Sequence, residues 1–538
     1  EHPNRRYFVL KSIVIQNLYG VDIMDEAVEI CKLRLFLKLV AQIERAEDIE
    51  PLPDIDFNIR AGNTLVGFAT RESVREALSK EQSGQQKMVY GEEAEALKKI
   101  EEKAGDVDDL FTMFREQQTE LGGTVTATDK DALRKRLGVL ENELNRLLAT
   151  QYSVEPSKSA AYRTWLKSHQ PFHWFVEFYG IMKHGGFDTL IGNPPYVELT
   201  QVTDYRLLDY KCLSAGNLYA LFLERSLAMC PSVGRLGFIV PVSSVSTDRY
   251  APLQKLLVGR ELHYSSYDDR PSRLFEGLQH ARLTIHILSP AADTPCLYST
   301  RYNKWNAIER QSLLQRLTFA AASTGPIPGS MPKFSAPLEG SLLAKLGAEK
   351  AAMADFYDPA ARWRTFYSRK VGYFLQALDF TPRVLDGRGK TREPSEFKTL
   401  HWGSQEQATG SLACLNSSLF FWFITVFSDC RHVNKREVDA FPVNMDRLME
   451  SSVSPRLSNT VARLMKDFKR NSEERRMRFQ HDTLTIQCIV PKKSKDVIDE
   501  IDGALAEHYN LTGEELDFIV NYDIKYRMGG GDDDGDDE

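Results

Sequence analysis

Apolar residues in positions 7 to 68 switch repeatedly between a helical and a strand period, and no other feature of the chain narrows its fold so far. "YFVLKSIVIQN" reads as helix, "LYGVDI" as a short buried strand, "DEAVEICKLRLFLKLVAQIE" as a long helix and "FNIRAGNTLVG" as strand and loop. Strand, helix and strand at this spacing predict a parallel α/β sheet. From about 71 to 165 the pattern gives way to charged segments, "EEAEALKKIEEKAGDVDDLFTMFREQQTEL" and "DKDALRKRLGVLENELNRLLATQY", with apolar residues at spacings of three and four. These predict a helical hairpin inserted into the sheet domain. The α/β pattern resumes with "FDTLIGN" (strand), "NLYALFLERSLAMC" (helix), "GRLGFIVPVS" (strand), "YAPLQKLLV" (helix) and "ARLTIHIL" (strand). Around 323 to 338 "STGPIPGSMPKFSAP" marks a boundary, and the chain later ends in an amphipathic helix, "SKDVIDEIDGALAEHYN", and a last helix opened by a Thr512 and Glu515 capping box.

At 538 residues the chain is too long for one core. Its longest apolar run, "LFFWFITVF" (419 to 427), is about half of a bilayer span and reads as a buried core helix, so no membrane partner is expected. The N-terminal patch lacks a small-residue cleavage site. Seven scattered cysteines without a C-x-x-C pair fit a reducing, cytoplasmic setting and no metal site. The net charge of −7 owes six of its negative charges to the tail "GGGDDDGDDE", read as a solvated end, which leaves −1 for the rest. Basic charge is clustered instead: residues 361 to 392 hold eight Arg and Lys against Asp379 and Asp386, a local excess of +6. Trp363, Phe366, Tyr367, Tyr373 and Phe374 interleave with these bases, a pattern that suits a DNA surface. A second cluster, "KDFKRNSEERRMR" (466 to 478), is diluted by acids and reads as an exposed helix face.

The strand "FDTLIGN" stops at Asn193 because Pro194 and Pro195 fix φ and lack the N–H that a ladder needs. Such a turn, followed by Tyr196, permits one particular chemistry. An exocyclic amino group on an aromatic ring is a poor nucleophile, and two acceptors aimed at its hydrogens would favour a tetrahedral nitrogen with a localised lone pair. Asn193 can offer its side-chain oxygen and Pro194 its carbonyl, while Tyr196 offers a face on which a base stacks, worth roughly 1–3 kcal/mol. The alternative is a strand-ending turn with a core tyrosine.

Asn193-Pro194-Pro195-Tyr196 resembles motif IV of the amino-methyltransferases that use S-adenosylmethionine, a motif shared with the protein-glutamine methyltransferases of release factors. "NLYGVDIMDEAVEICKLRLFLKL" (17 to 39), "NIRAGNTLVG" (58 to 67), "GNLYALFLERSLAM" (216 to 229), "GRLGFIVPVS" (234 to 243) and "SYDDRPSRLFEGLQHARLTIHIL" (266 to 288) follow in the order seen in long adenine-specific DNA methyltransferases. Over most of residues 7 to 290 the chain is similar to the adenine-N6 enzymes of type IIG restriction-modification and phage-defence systems. That resemblance implies a Rossmann-like methyltransferase sheet, S-adenosylmethionine as cofactor and double-stranded DNA as partner, with the adenine flipped out of the duplex. It implies Asn193, Pro194, Pro195 and Tyr196 as the catalytic turn, and Asp22, with Ile23 beside it, on the ribose of the cofactor. Asn63 would contact the cofactor's adenine, and Phe275 would line the target-base pocket. Asp22 also sits at a strand end by pattern, and Asp25 is better placed to cap the following helix. A simple Gly-Asn turn is the alternative for Asn63, and a core position for Phe275.

The same resemblance marks what is missing. No Gly-rich loop precedes Asp22, and in the family's strand order the first strand lies between the "YGVDI" and "TLIGN" strands. Without it both neighbours keep unpaired edges, so the expectation is an N-terminally truncated chain, or one completed by a partner, that alone binds the cofactor weakly or not at all. Nothing supports a nuclease, since Glu101-Glu102-Lys103 and Glu396-Phe397-Lys398 lack a suitably placed Pro-Asp strand. Residues of roughly 300 to 527 resemble a target-recognition region, where Arg362, Arg369 and Lys370, and later Arg431, His432, Asn434, Lys435 and Arg436, are candidates to meet DNA. Arg and Asn can read base edges and Lys neutralises phosphate; a solvated loop is the alternative for each. The expected organisation is a methyltransferase domain in two parts (1–70 and 166–290), a helical insertion (71–165), a linker (291–338), an α+β recognition domain (339–527) and an acidic tail (528–538). The rivals are a protein-glutamine N5 methyltransferase and a non-catalytic DNA-binding or assembly subunit.

Overall fold

The computed structural model describes residues 4–45, 52–79, 92–119, 127–278, 280–290, 296–323, 325–479 and 482–529, so the acidic tail lies outside the described residues from 530 onward. The chain divides into two compact units, residues 1–238 and 239–538.

In the first unit, α1 (Arg5–Asn17) starts where the Asn4 side chain accepts the Tyr7 amide. The expected strand, helix and strand follow as β1 (Gly20–Asp22), α2 (Asp25–Val40) and β2 (Ile59–Ala61). The two strands are parallel, with Gly20 opposite Ile59 and Asp22 opposite Ala61. Four further helices form the insertion: α3 (Arg71–Ser79), α4 (Glu92–Thr119), α5 (Ala127–Gln151) and α6 (Ser159–His169), the last running past the expected end at 165. On α4 the buried Leu97, Ile100, Ala104, Val107, Phe111 and Phe114 alternate spacings of three and four, and α5 answers with Leu133, Leu137, Leu140, Leu144 and Leu148. This is a coiled-coil seam. The hairpin lies along the segment around β2, because Phe57 packs with Phe111 and Phe114 while Val66 and Phe68 join the cluster of Leu97, Leu144 and Leu148. Ion pairs from Lys130 to Asp54 and Asp56 and from Arg60 to Glu141 reinforce that docking.

The short helices α7 (Trp174–Glu177) and α8 (Tyr179–Lys183) carry an aromatic cluster of Phe172, Trp174, Phe178 and Phe187. β3 (Thr189–Gly192) then pairs parallel with the first half of β4 (Arg235–Pro241), and α9 (Leu218–Met229), capped by Asn217, connects them. Val21 of β1 and Leu190 of β3 both pack on the aromatic cluster.

In the second unit α10 (Ser243–Ser246) and α11 (Ala251–Leu257) precede β5 (Leu262–Tyr267), β6 (Leu283–Leu288), β7 (Leu297–Asn303) and β8 (Ala320–Ala321). β5 is antiparallel to β6 and parallel to β7, and β8 is antiparallel to β7. Within the expected linker the described residues 296–323 hold two strands, β7 and β8, and Tyr302 and Trp305 there are buried. Next come α12 (Pro337–Gly347), β9 (Trp363–Ser368), β10 (Ala377–Leu378), β11 (Val384–Leu385), β12 (Thr391–Arg392), β13 (Phe397–Trp402), α13 (Gln405–Asn416) and α14 (Ser418–Phe427). They are followed by α15 (Lys435–Asp439), α16 (Met445–Glu450), α17 (Ser454–Arg470), β14 (Glu473–Arg478), β15 (Thr483–Cys488), α18 (Lys495–His508), α19 (Gly513–Val520) and α20 (Ile524–Arg527).

Every residue of α14 is buried, as expected for "LFFWFITVF", and the core of this unit gathers around it. Among the described residues no single helix is long and apolar enough to cross a membrane. The expected Thr512 and Glu515 capping box starts α19. Two antiparallel sheets flank the helices, ordered β10-β9-β13 and β12-β11-β15-β14. One expectation fails here: 466 to 478 is not a single helix face, because α17 stops at Arg470 and Glu473–Arg478 is a strand paired along its length with β15.

Candidate functional site

β3 ends at Gly192, where a Cβ would stand 2.7 Å from the Phe238 ring, so the strand runs into Asn193 with no side chain to spare. Asn193 and Pro195 are exposed, Pro194 is buried and Tyr196 is half-buried. The turn is pinned behind by a bridge between Glu198 and Asn217, with the Leu218 amide donating to the Val197 carbonyl (2.9 Å) and the Leu199 amide to that of Gly216 (2.8 Å). Tyr196 thereby stands edge-on to the fully buried Tyr219, ring centres 6.4 Å apart. Its hydroxyl donates to Asn193 Oδ1 at 2.7 Å, and burial pushes the phenol pKa up to about 12. Sequence reasoning placed both residues but did not foresee this bond between them.

Asp22 lies at the C-terminal end of β1, exposed, and its Oδ1 accepts the Met24 amide at 2.9 Å. α2 starts at Asp25 with Met24 in the capping position and no side-chain cap, so Asp25 is a first-turn acid and not the cap expected of it. Ile23, between them, is 40% exposed. The Gly62 amide donates to the Asp22 carbonyl at 2.8 Å, which brings the Asn63 loop directly beside Asp22 at the ends of the two parallel strands. Asn63 is buried; its Oδ1 accepts the Leu65 amide (3.1 Å). Its Nδ2 meets no acceptor in hydrogen-bond geometry among the described residues, although it lies near enough to Tyr205 to offset part of the burial that raises that phenol's pKa. A buried, unpaired N–H donor of this kind costs free energy until something accepts from it.

What holds this loop was only partly legible. The Trp174 indole donates to the Thr64 carbonyl (3.3 Å), and the Phe68 amide donates to His173 Nδ1 (3.2 Å). At Gly67, with φ at +131°, a Cβ would lie 2.1 Å from the Phe172 carbonyl, so only glycine fits. From α9, Arg225 donates to the carbonyls of Leu65 (3.0 Å) and Gly67 (3.2 Å) and to the Tyr210 hydroxyl, which itself donates to Leu65 (2.7 Å). Arg225 is a residue that sequence reading passed over. Its signal was a lone arginine inside the apolar "LYALFLERSLAM".

In the second unit the structure joins two basic segments that lie far apart in sequence. The Val433 amide donates to the Arg369 carbonyl (2.7 Å) and the Val371 amide to that of Arg431 (3.2 Å), so Arg369, Lys370 and Arg431 stand exposed on one strip. Arg362 is exposed over the Trp363 ring at 4.7 Å. Lys435 is engaged by Asp439 (2.7 Å) and lies over Tyr357, and Arg436 is held by Asp248, the Ser246 carbonyl and Ser330, so these two cations brace the fold. Asn434 precedes α15 without capping it through its side chain. Of the interleaved aromatics, Tyr367 and Phe374 are buried in the core, Trp363 and Tyr373 pack against it, and Phe366 is half-buried. Phe275 sits half-buried in the loop between β5 and β6. Among the described residues no group of His, Cys, Asp or Glu is placed to hold a metal ion.

Residues 16–263 match the family described as Eco57I restriction-modification methylase. A Methanocaldococcus jannaschii protein named as putative type II restriction enzyme and methyltransferase RM.MjaORFECS2P is 30% identical over 278 residues, an alignment covering 46% of this chain and 23% of that protein. Escherichia coli type II restriction enzyme and methyltransferase RM.Eco57I is 34% identical over 79 residues, 13% of this chain and 8% of the relative. The matches thus span less than a quarter of either relative's length. Among solved structures, the type IIL restriction-modification enzyme MmeI in complex with DNA gives a TM-score of 0.39 at 10% identity, covering 98% of this chain and 75% of that one. Over residues 16–263 the chain is thus similar to the Eco57I restriction-modification methylases.

Proposed function

We propose that the chain is the methylating part of a restriction-modification or phage-defence enzyme of the type IIG kind, acting in the cytoplasm on double-stranded DNA. Its reaction would transfer a methyl group from S-adenosylmethionine to N6 of an adenine flipped out of the duplex. The observation that carries this reading is the Asn193-Pro194-Pro195-Tyr196 turn at the end of β3, inside the stretch that matches the methylase family.

The residues beside it suit the cofactor. Asp22 presents a carboxylate at a strand end, as ribose hydroxyls require, and the unpaired Asn63 Nδ2 is a donor for a ring nitrogen of an adenine. S-adenosylmethionine, when bound, supplies the electrophilic methyl group. This chain's own residues then act on the target base. Asn193 Oδ1 and the Pro194 carbonyl accept from the two amino hydrogens and localise the nitrogen lone pair. Tyr196 takes the face of the base against its ring, and its hydroxyl releases Asn193 Oδ1 as the amino group arrives. Arg369, Lys370, Arg431 and Arg362 supply positive charge to the phosphates.

Methylation of unmethylated bacterial genomic DNA by the enzyme as the cell makes it tests this reading. Asn193→Ala is expected to lower N6-methyladenine formation by roughly two to three orders of magnitude, as loss of one electrostatic partner of a transition state does. Undiminished adenine methylation would overturn the clamp, and methylation of glutamine in a release-factor peptide with none on DNA would overturn the substrate.

A further inference from the structure

The two hairpins of the small sheet β12-β11-β15-β14 turn at the same end. β11 runs toward the turn at Asp386–Lys390, while its antiparallel neighbour β15 runs away from the turn that follows Arg478, with Leu385 opposite Thr485. Both acids at this end are already engaged. Asp386 accepts the amides of Arg388 and Lys390, each at 2.9 Å, and Asp482 accepts that of Thr483 at 2.8 Å. Arg392 lies against both carboxylates, 2.8 Å from Asp482 and 3.8 Å from Asp386. That leaves Arg388, Lys390, Arg476 and Arg478, all exposed and without an ion pair among the described residues.

Two-residue spacing puts Arg476 and Arg478 on one face of β14, about 7 Å apart. Thr485 and Thr483 stand opposite them and add hydroxyls to that face. Phe479, at the tip, is 47% exposed. A cationic, hydroxyl-bearing ribbon of two strands matches the major groove of B-form DNA, which is about 12 Å wide and admits such a ribbon. The whole four-stranded end does not fit, since strands about 4.8 Å apart span roughly 14 Å across the backbones alone.

We infer that the β14–β15 hairpin enters the major groove of duplex DNA, with Arg476 and Arg478 against its phosphate wall, while the Asp386–Lys390 turn rides outside on the adjoining phosphates through Arg388 and Lys390. The inference rests on the DNA reading proposed above and adds a contact element that this reading does not use.

The test is binding of the full chain to a short mixed-sequence DNA duplex across a salt series. Each phosphate contact contributes about 0.9 to the slope of log affinity against log salt. Arg476→Gln/Arg478→Gln and Arg388→Gln/Lys390→Gln are therefore each expected to flatten the slope by about 1.8. Neither double substitution should change the melting temperature, because all four side chains are exposed. Groove entry further requires at least tenfold weaker binding to an RNA duplex of the same sequence, whose deep, narrow major groove excludes side chains. Unchanged slopes in both variants, with duplex binding intact, would overturn the hairpin assignment and leave the DNA reading standing. Equal affinity for the RNA duplex would overturn groove entry, and no binding of the unaltered chain to DNA would overturn both readings together.

Discussion

The hydrogen bond from the Tyr196 hydroxyl to Asn193 Oδ1 occupies an acceptor that an incoming amino group would need. A neutral hydrogen bond contributes roughly 0.5–1.5 kcal/mol. Tyr196→Phe keeps the ring and frees the acceptor, so it is expected to lower KM for DNA by about two- to tenfold with kcat retained. Tyr196→Ala removes the ring as well and is expected to weaken DNA-base binding by the roughly 1–3 kcal/mol of a stacked base. Steady-state methylation kinetics on the two variants separate the effects; equal losses in both would show that the hydroxyl, not the ring, matters. His173 makes a second case at this scale. Burial first, then the nearby Arg225 charge, hold its pKa down to about 3, and Nδ1 accepts the Phe68 amide in the neutral form. An unfolded histidine takes up its proton near 6.5, so the stability this residue contributes is complete above that pH and declines as the pH falls toward 3. Thermal melting should show His173→Asn, which can still accept from the amide, with a shallower decline than the wild type over that window.

At the scale of elements, the helices and the flanking strands of the α/β pattern were legible because their apolar periods are clean and their boundaries carry Asn, Thr and Pro. β5 was not, because "LHYSSY" offers no alternation: its buried hydroxyls are paired internally, Ser266 with Thr284 (2.9 Å) and Ser265 with Tyr267 (2.8 Å), which lets polar residues fill a core strand. β14 was misread because a run of charges carries no period and becomes a strand only through its partner "TLTIQC". Of the site, the Asn193 turn, Asp22 and Asn63 were readable as local motifs, whereas Arg225 was not, since it reaches the Leu65 carbonyl across 160 positions of sequence. The insertion has an expected outcome of its own. Leu144 of α5 is fully buried in the cluster that joins the insertion to Val66 and Phe68, so Leu144→Ala should cost about 2–5 kcal/mol in urea unfolding. The start of α14 gives another. Burial pushes the Asp502 carboxyl up to about 7 even though the Ser418 amide donates to it at 2.8 Å. The unfolded carboxyl loses its proton near 3.8, so stability drains away as the pH rises from there to about 7, opposite in sign to His173. Asp502→Asn should abolish that decline and raise the melting temperature at neutral pH.

At the scale of the whole molecule, β1 and β3 each use one edge among the described residues. β1 pairs with β2 and β3 with β4, and in parallel ladders of these registers the amides of Val21, Thr189 and Ile191 point away from their partners. Ile191 is 82% exposed, so the face of β3 that carries it is uncovered. Val21 and Leu190 nevertheless rest on one aromatic cluster, so the two open edges border a common floor. A strand laid between them would pair with both, and the loop after it would face Asp22 and Asn63. Calorimetry should then find no micromolar binding of S-adenosylmethionine to residues 1–538 alone. Hydrogen exchange should find the Val21, Thr189 and Ile191 amides fast in this chain. Micromolar binding by the chain alone, or slow exchange at both edges, would show instead that the cofactor is held without a strand between them.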